Sequence, residues 1–140
     1  MSSIADFEQQ TPVTRVEFAD YLRECLPPAQ WPAAQAEREQ WRQRLPHSLV
    51  LTLFYPQLDF AERWCWQHFG ECFGECAQRA SDYPACPEPL PHSHQGRWRA
   101  RWLAKTGYDF GYCEWLFAQE ADYRRFISFL PHIGFGENHG

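Results

Sequence analysis

Apolar positions along this chain change period several times, and each change marks an element. Val16, Ala19, Leu22 and Leu26 recur at helical spacing behind a capping box of Thr14 and Glu17 until Pro27 and Pro28 stop the pattern. This predicts a first helix over 15–25. Pro32 suits the first turn of a second helix, in which Ala34, Arg38, Trp41 and Leu45 share a face until Pro46. The two helices read as an N-terminal extension over 1–47.

From Ser48 the period becomes two. Leu49, Leu51 and Leu53 alternate with Val50, Thr52 and Phe54 up to Pro56, which predicts a first strand. Asp59 and Glu62 repeat the capping-box spacing and open a helix through Trp64, Cys65 and His68, onward to Cys76 or Arg79. Pro84, Pro87, Pro89 and Pro91 make an irregular insert of 80–95. Arg97, Arg99 and Arg101 then alternate with Trp98, Ala100 and Trp102, and after a turn at Thr106-Gly107 residues 109–117 alternate again. That is a hairpin. Over 119–130, Tyr123, Phe126, Ile127 and Leu130 fall on one helical face, with Glu120 and Arg124 paired outside it. Residues 133–137 suffice for a last edge strand. The expectation is one domain over 1–140: an α+β fold whose core, 48–140, is a ferredoxin-like β-α-β-β-α-β antiparallel sheet.

Composition changes this picture in three ways. At 140 residues the chain can bury a core unaided, and seven Trp with eleven Phe make that core one of rings. A formal charge of −5 argues against a dedicated binder of duplex nucleic acid and suits a partner with a basic surface. The polar segment 1–12 has no basic-then-apolar run, and no window reaches membrane-span length, so a cytoplasmic protein with six reduced cysteines is expected.

Candidate chemistry concentrates in two places. Cys65, His68, Cys72 and Cys76 fall on one stripe of the third predicted helix, which reads first as a small-residue packing face. The sharper reading joins Cys72 and Cys76 to Cys86, His92 and His94, five N/S donors that would suit a structural zinc ion. No His-Glu-x-x-His pair, glycine-rich phosphate loop or nucleophile elbow occurs, and Cys86 near His92 or His94 is the candidate thiol. A zinc-stabilised or thiol-dependent enzyme therefore ranks below a binding function.

The second place is the sheet. With Trp98, Trp115 and Phe117 turned toward the helices, Arg97, Arg99, Arg101, Phe110 and Tyr112 share the opposite face as a stacking platform. Leu53-Phe54-Tyr55-Pro56-Gln57-Leu58 and Phe110-Gly111-Tyr112-Cys113-Glu114-Trp115 resemble the two short aromatic motifs of the RNA-recognition motif on the matching first and third strands. The resemblance implies single-stranded RNA binding by that face. Tyr108 and Asp109 stand where that family's third-strand motif opens with a basic residue and a glycine. The competing expectation lays the N-terminal helices across the face, with Trp31 or Trp41 on Phe54, Phe110 and Tyr112.

The first-ranked function is a small acidic, non-enzymatic protein-binding domain, with Glu71, Glu75, Asp82 and Glu88 among its binding carboxylates. In size and charge it is similar to small inhibitors such as immunity proteins against nuclease toxins and anti-CRISPR proteins.

Overall fold

A computed structural model describes residues 13–74 and 92–134, without the side chains of His92 and Ser93. In chain order the elements are β1 (Thr14–Val16), α1 (Phe18–Cys25), a 3-10 turn (Pro28–Gln30), α2 (Trp31–Arg44), β2 (His47–Phe54) and α3 (Tyr55–Phe69). Then come β3 (Cys72–Phe73), β4 (His92–Ser93), β5 (Trp98–Gly107), β6 (Phe110–Phe117), α4 (Glu120–Phe129) and a final 3-10 turn (Leu130–Ile133). The fold is α+β. Its main sheet is antiparallel with order β1-β2-β6-β5, and β3 and β4 form a separate parallel pair. Because β2 and β5 both run antiparallel to β6, they are parallel to each other with β6 between them.

The first correction concerns residues 14–16, which form a strand and not the start of a helix. Thr14 pairs with Thr52 and Val16 with Val50, and the Val13 N–H reaches the Gly134 carbonyl at 3.1 Å. Alternating β-branched residues fit a pleated edge better than a helical first turn. The actual helix cap lies three residues later: the Glu17 N–H donates to the Asp20 carboxylate at 2.9 Å. This N-terminal strand occupies the sheet edge beside β2. Of the last edge strand expected over 133–137, Ile133 sits buried in a 3-10 turn and 135–137 lie outside the described residues.

The helix expected from Asp59 opens earlier, at Tyr55, because Pro56 serves as a first-turn proline and the Phe54 N–H donates to Gln57 Oε1 at 2.8 Å. It ends at Phe69, short of Cys76 or Arg79, as Gly70 takes φ +81°. Cys72 is therefore in β3, so among the described residues only Cys65 and His68 of the expected stripe lie on α3. Both thiols are nevertheless fully buried in one core, as the packing reading requires. The hairpin turn is Tyr108–Asp109, with Asp109 at φ +58°, two residues beyond the expected Thr106-Gly107. Register shifts at Trp102/Ala104 and Lys105/Gly107 absorb the difference.

Three layers result. On one face α3 and α4 bury Leu58, Ala61, Cys65, Phe126 and Phe129 against Leu51, Trp98, Trp115 and Phe117. On the other, Phe18, Tyr21 and Leu22 of α1 pack on Val50 and Tyr112. No described helix is long and apolar enough to cross a membrane.

Candidate functional site: a polar groove under helix α2

Helix α2 covers the sheet without fully burying a single side chain. A helix so polar needs another means of seating. It has one in Glu114, which faces α2 from the middle of β6 and is 0% exposed. Arg38 Nε donates to Glu114 Oε2 at 2.7 Å, and Arg101 Nη2 donates to Oε1 at 2.8 Å. Arg101 Nη1 in turn reaches Glu37 Oε2 at 3.1 Å. The two guanidinium groups balance the two carboxylates, so the cluster is neutral and each buried charge has charge-assisted partners.

Arginine stacking completes the seat. The Arg99 and Arg101 guanidinium carbons lie 4.6 and 5.9 Å from the Trp41 ring centre. Arg99 Nη1 also donates to the Phe73 carbonyl at 2.9 Å, and Arg44 sits 4.9 Å over the Phe73 ring. Trp31 anchors the other end by donating its indole N–H to the Leu22 and Leu26 carbonyls, each at 3.0 Å.

These contacts correct the stacking-platform expectation. Arg101 and Tyr112 are buried beneath α1 and α2, and Arg99 is engaged by Trp41 and Phe73. Arg97 turns away to Asp122 in the first turn of α4, at 3.2 Å. Phe110 packs on its register partner Phe54, ring centres 5.0 Å apart. The helices cover this face as the competing expectation held, although Trp41 meets arginines rather than Phe54 or Phe110. The physical reason is that β6 carries a carboxylate there, which draws Arg38 and Arg101 inward. The sequence carried a signal for this: a Glu within an otherwise apolar central strand, and a sheet-covering helix short of apolar residues.

Of the other predicted residues, Glu71 is exposed just after Gly70, while Glu75, Asp82 and Glu88 lie outside the described residues. Among the zinc candidates, Cys72 is buried with its thiol 3.5 Å from the Gly74 carbonyl, and its register partner is His92. His94 is exposed, Cys76 and Cys86 lie outside the described residues, and no described group of three or more donors gathers.

Between α1 and α2 runs a groove of about 400 Å³, walled by Phe18, Leu22 and Gln35 and bordered by Glu17 and Glu39. Arg38 crosses it with its guanidinium 4.6 Å over the Phe18 ring. Its charge is offset by Glu114. Glu39 meets Arg42 only at 3.6 Å, with both side chains exposed, and Glu17 has no cation within ion-pairing distance among the described residues.

No family model, curated protein or solved structure matches this chain.

In the apolar cluster that α1 forms with the sheet, Tyr112 Oη donates to Glu24 at 2.6 Å. Burial above all, and then that carboxylate, hold the phenol well above its ordinary range. Burial likewise pushes the Cys65 and Cys113 thiols far up, so neither is a nucleophile at neutral pH. What the groove offers is two carboxylates at its border, an aromatic wall, and a neutral ion cluster beneath.

Proposed function

We propose that this chain is a non-enzymatic protein-binding domain that takes a basic segment of its partner into the α1–α2 groove. The observation that carries the reading is the pairing of Glu17 and Glu39 at the border with Phe18 and Leu22 along the wall. Arg38 already covers the Phe18 ring, so an incoming lysine or arginine meets the two carboxylates at the border with its charged head. The overall charge of −5 favours encounter with a basic surface. Binding there would mask a surface that otherwise meets nucleic acid, which is the sense in which the domain acts as an inhibitor, immunity-protein-like or anti-CRISPR-like.

Capture from lysate followed by mass spectrometry tests this. The expected result is a protein partner retained at low salt and lost with Glu17→Gln/Glu39→Gln but not with Glu71→Gln. Retention of the same partner by the double variant removes the groove from the mechanism, and capture of RNA in place of protein overturns the reading.

The same proposal treats the fold as a ferredoxin-like variant. Supporting this are the neighbours β2-β6-β5, the split β2-α3-β5 unit and the placement of α3 and α4 on one face. Thr14–Val16 would then stand where that fold places its last strand. A structural zinc at Cys72, Cys76, Cys86, His92 and His94 is a separate proposal, supported by the Cys72–His92 register. Stoichiometric zinc in the purified protein, lost with Cys72→Ala, is its expected signature.

A further inference from the structure

The floor of the groove already holds a guanidinium, that of Arg38. Its carbon lies 4.6 Å over the Phe18 ring, and its Nε donates to Glu114 Oε2 at 2.7 Å, the one hydrogen bond this group forms among the described residues. Phe18 and Arg38 line the groove while Glu114 is 0% exposed, so the way from groove to carboxylate is the volume that the Arg38 side chain fills. A ring face beside a buried carboxylate suits a planar, delocalised cation better than a compact ammonium. The other oxygen of Glu114 belongs to Arg101, which holds it through Nε and Nη2 at 3.2 and 2.8 Å from the neighbouring strand. Arg38 reaches in from a helix that fully buries no side chain, and its own side chain is 23% exposed. Of the two arginines on Glu114, it is the one with a single bond and a way out.

We propose that Phe18 and Glu114 form an arginine site that Arg38 fills in cis, and that an arginine of the partner's basic segment takes its place. The inference rests on the protein-binding reading above and deepens it. Glu17 and Glu39 receive the head of either basic residue at the border, and the site beneath distinguishes arginine from lysine. Replacing one guanidinium by another keeps Glu114 paired throughout, so no buried carboxylate is left without its cation. The released Arg38 stays beside Glu17 and Glu39, which border the same groove. A lysine cannot make the exchange on equal terms, because its ammonium is a strongly hydrated point charge with no plane to lay on the Phe18 ring. Arg38 is thus an autoinhibitory plug: it weakens every arginine ligand by the share of time it occupies the site.

NMR titration of wild type and Arg38→Ala with acetyl-Gly-Arg-Gly-amide and acetyl-Gly-Lys-Gly-amide tests this. The expected result is that Arg38→Ala binds the arginine peptide about tenfold more tightly than wild type, as for a site otherwise open about one-tenth of the time, and gains less for the lysine peptide. Arg101 still pairs with Glu114 in the variant, which should therefore remain folded. A second arm needs no variant: in wild type the arginine peptide should move the Arg38 Nε–H resonance, and the lysine peptide only those of Glu17 and Glu39. Equal gains for the two peptides mean that removing Arg38 acts through charge alone, and overturn the arginine site. An Arg38 resonance that stays in place while those of Glu17 and Glu39 shift overturns the exchange but leaves the groove reading standing. If neither peptide perturbs the groove in wild type or variant, both proposals fall.

Discussion

Arg38 on α2 donates its Nε to Glu114 on β6 at 2.7 Å, joining residues 76 positions apart across the layer between helix and sheet. Arg101 holds the other carboxylate oxygen, so removing Glu114 would leave one nearly buried guanidinium and one half-buried one without their anion.

Glu114→Ala is therefore expected to lower stability by about 3–5 kcal/mol, as for other buried pairs broken on one side. Glu120→Ala should leave the urea midpoint unchanged, because its pair with Arg124 lies on the surface. Equilibrium urea unfolding followed by circular dichroism compares the two. A Glu114→Ala midpoint close to wild type would mean that α2 is seated by something else.

The Tyr112 phenol is held above its ordinary range in the folded state. Below about pH 10, the usual tyrosine value, both folded and unfolded chains keep the proton and the full contribution is present. Above it the unfolded chain releases the proton while the folded one retains it, so stability falls as pH rises. Tyr112→Phe cannot ionise. It should cost about 1.5 kcal/mol at pH 8 by losing the bond to Glu24, and its stability should fall less steeply between pH 9 and about pH 11. Urea midpoints at several pH values measure both effects, and an unchanged alkaline slope would show that Tyr112 is not the group responsible.

Among the four described cysteines only Cys25 is partly exposed. Cys65, Cys72 and Cys113 are fully buried, and burial raises the Cys65 and Cys113 thiols far above the ordinary range. Pulsed alkylation of the native protein should label Cys25 first of these four and reach the other three only in denaturant. Peptide mass spectrometry assigns the order, and rapid labelling of Cys113 in the native state would contradict the packing of β6 against α3.

A methyl group at Gly111 would stand 2.1 Å from the Ala104 carbonyl oxygen and 2.8 Å from the Trp102 ring. Gly111→Ala must push β5 off β6 next to the register shift, an overpacking cost of about 1–3 kcal/mol or more. Thermal unfolding reads it. Gly107→Ala, with nothing closer than 3.9 Å, is the control and should change little.

Local pattern was enough to place most elements. The period-two run after Ser48 became β2, the two alternating arms after Arg97 became β5 and β6, and Pro32 and Pro46 bounded α2 as expected. These rest on side-chain period and on the stereochemistry of proline, which act within a few residues.

The chain by itself determined an α+β domain with a ring-filled core and with arginines on one side of a hairpin. Tertiary structure decided what those arginines do. Arg101 meets Glu114 as its register partner in the hairpin, but whether that pair faces solvent or a helix depends on α2, more than fifty residues earlier in the chain. The edge position beside β2 was settled the same way: Thr14 and Val16 could begin a helix or extend a sheet, and pairing with Thr52 and Val50 chose the sheet. The groove lies just beyond that strand, where the chain turns into α1 and meets α2. Burial and charge pairing between distant segments are cooperative properties of the packed molecule, and for that reason they were absent from the sequence read alone.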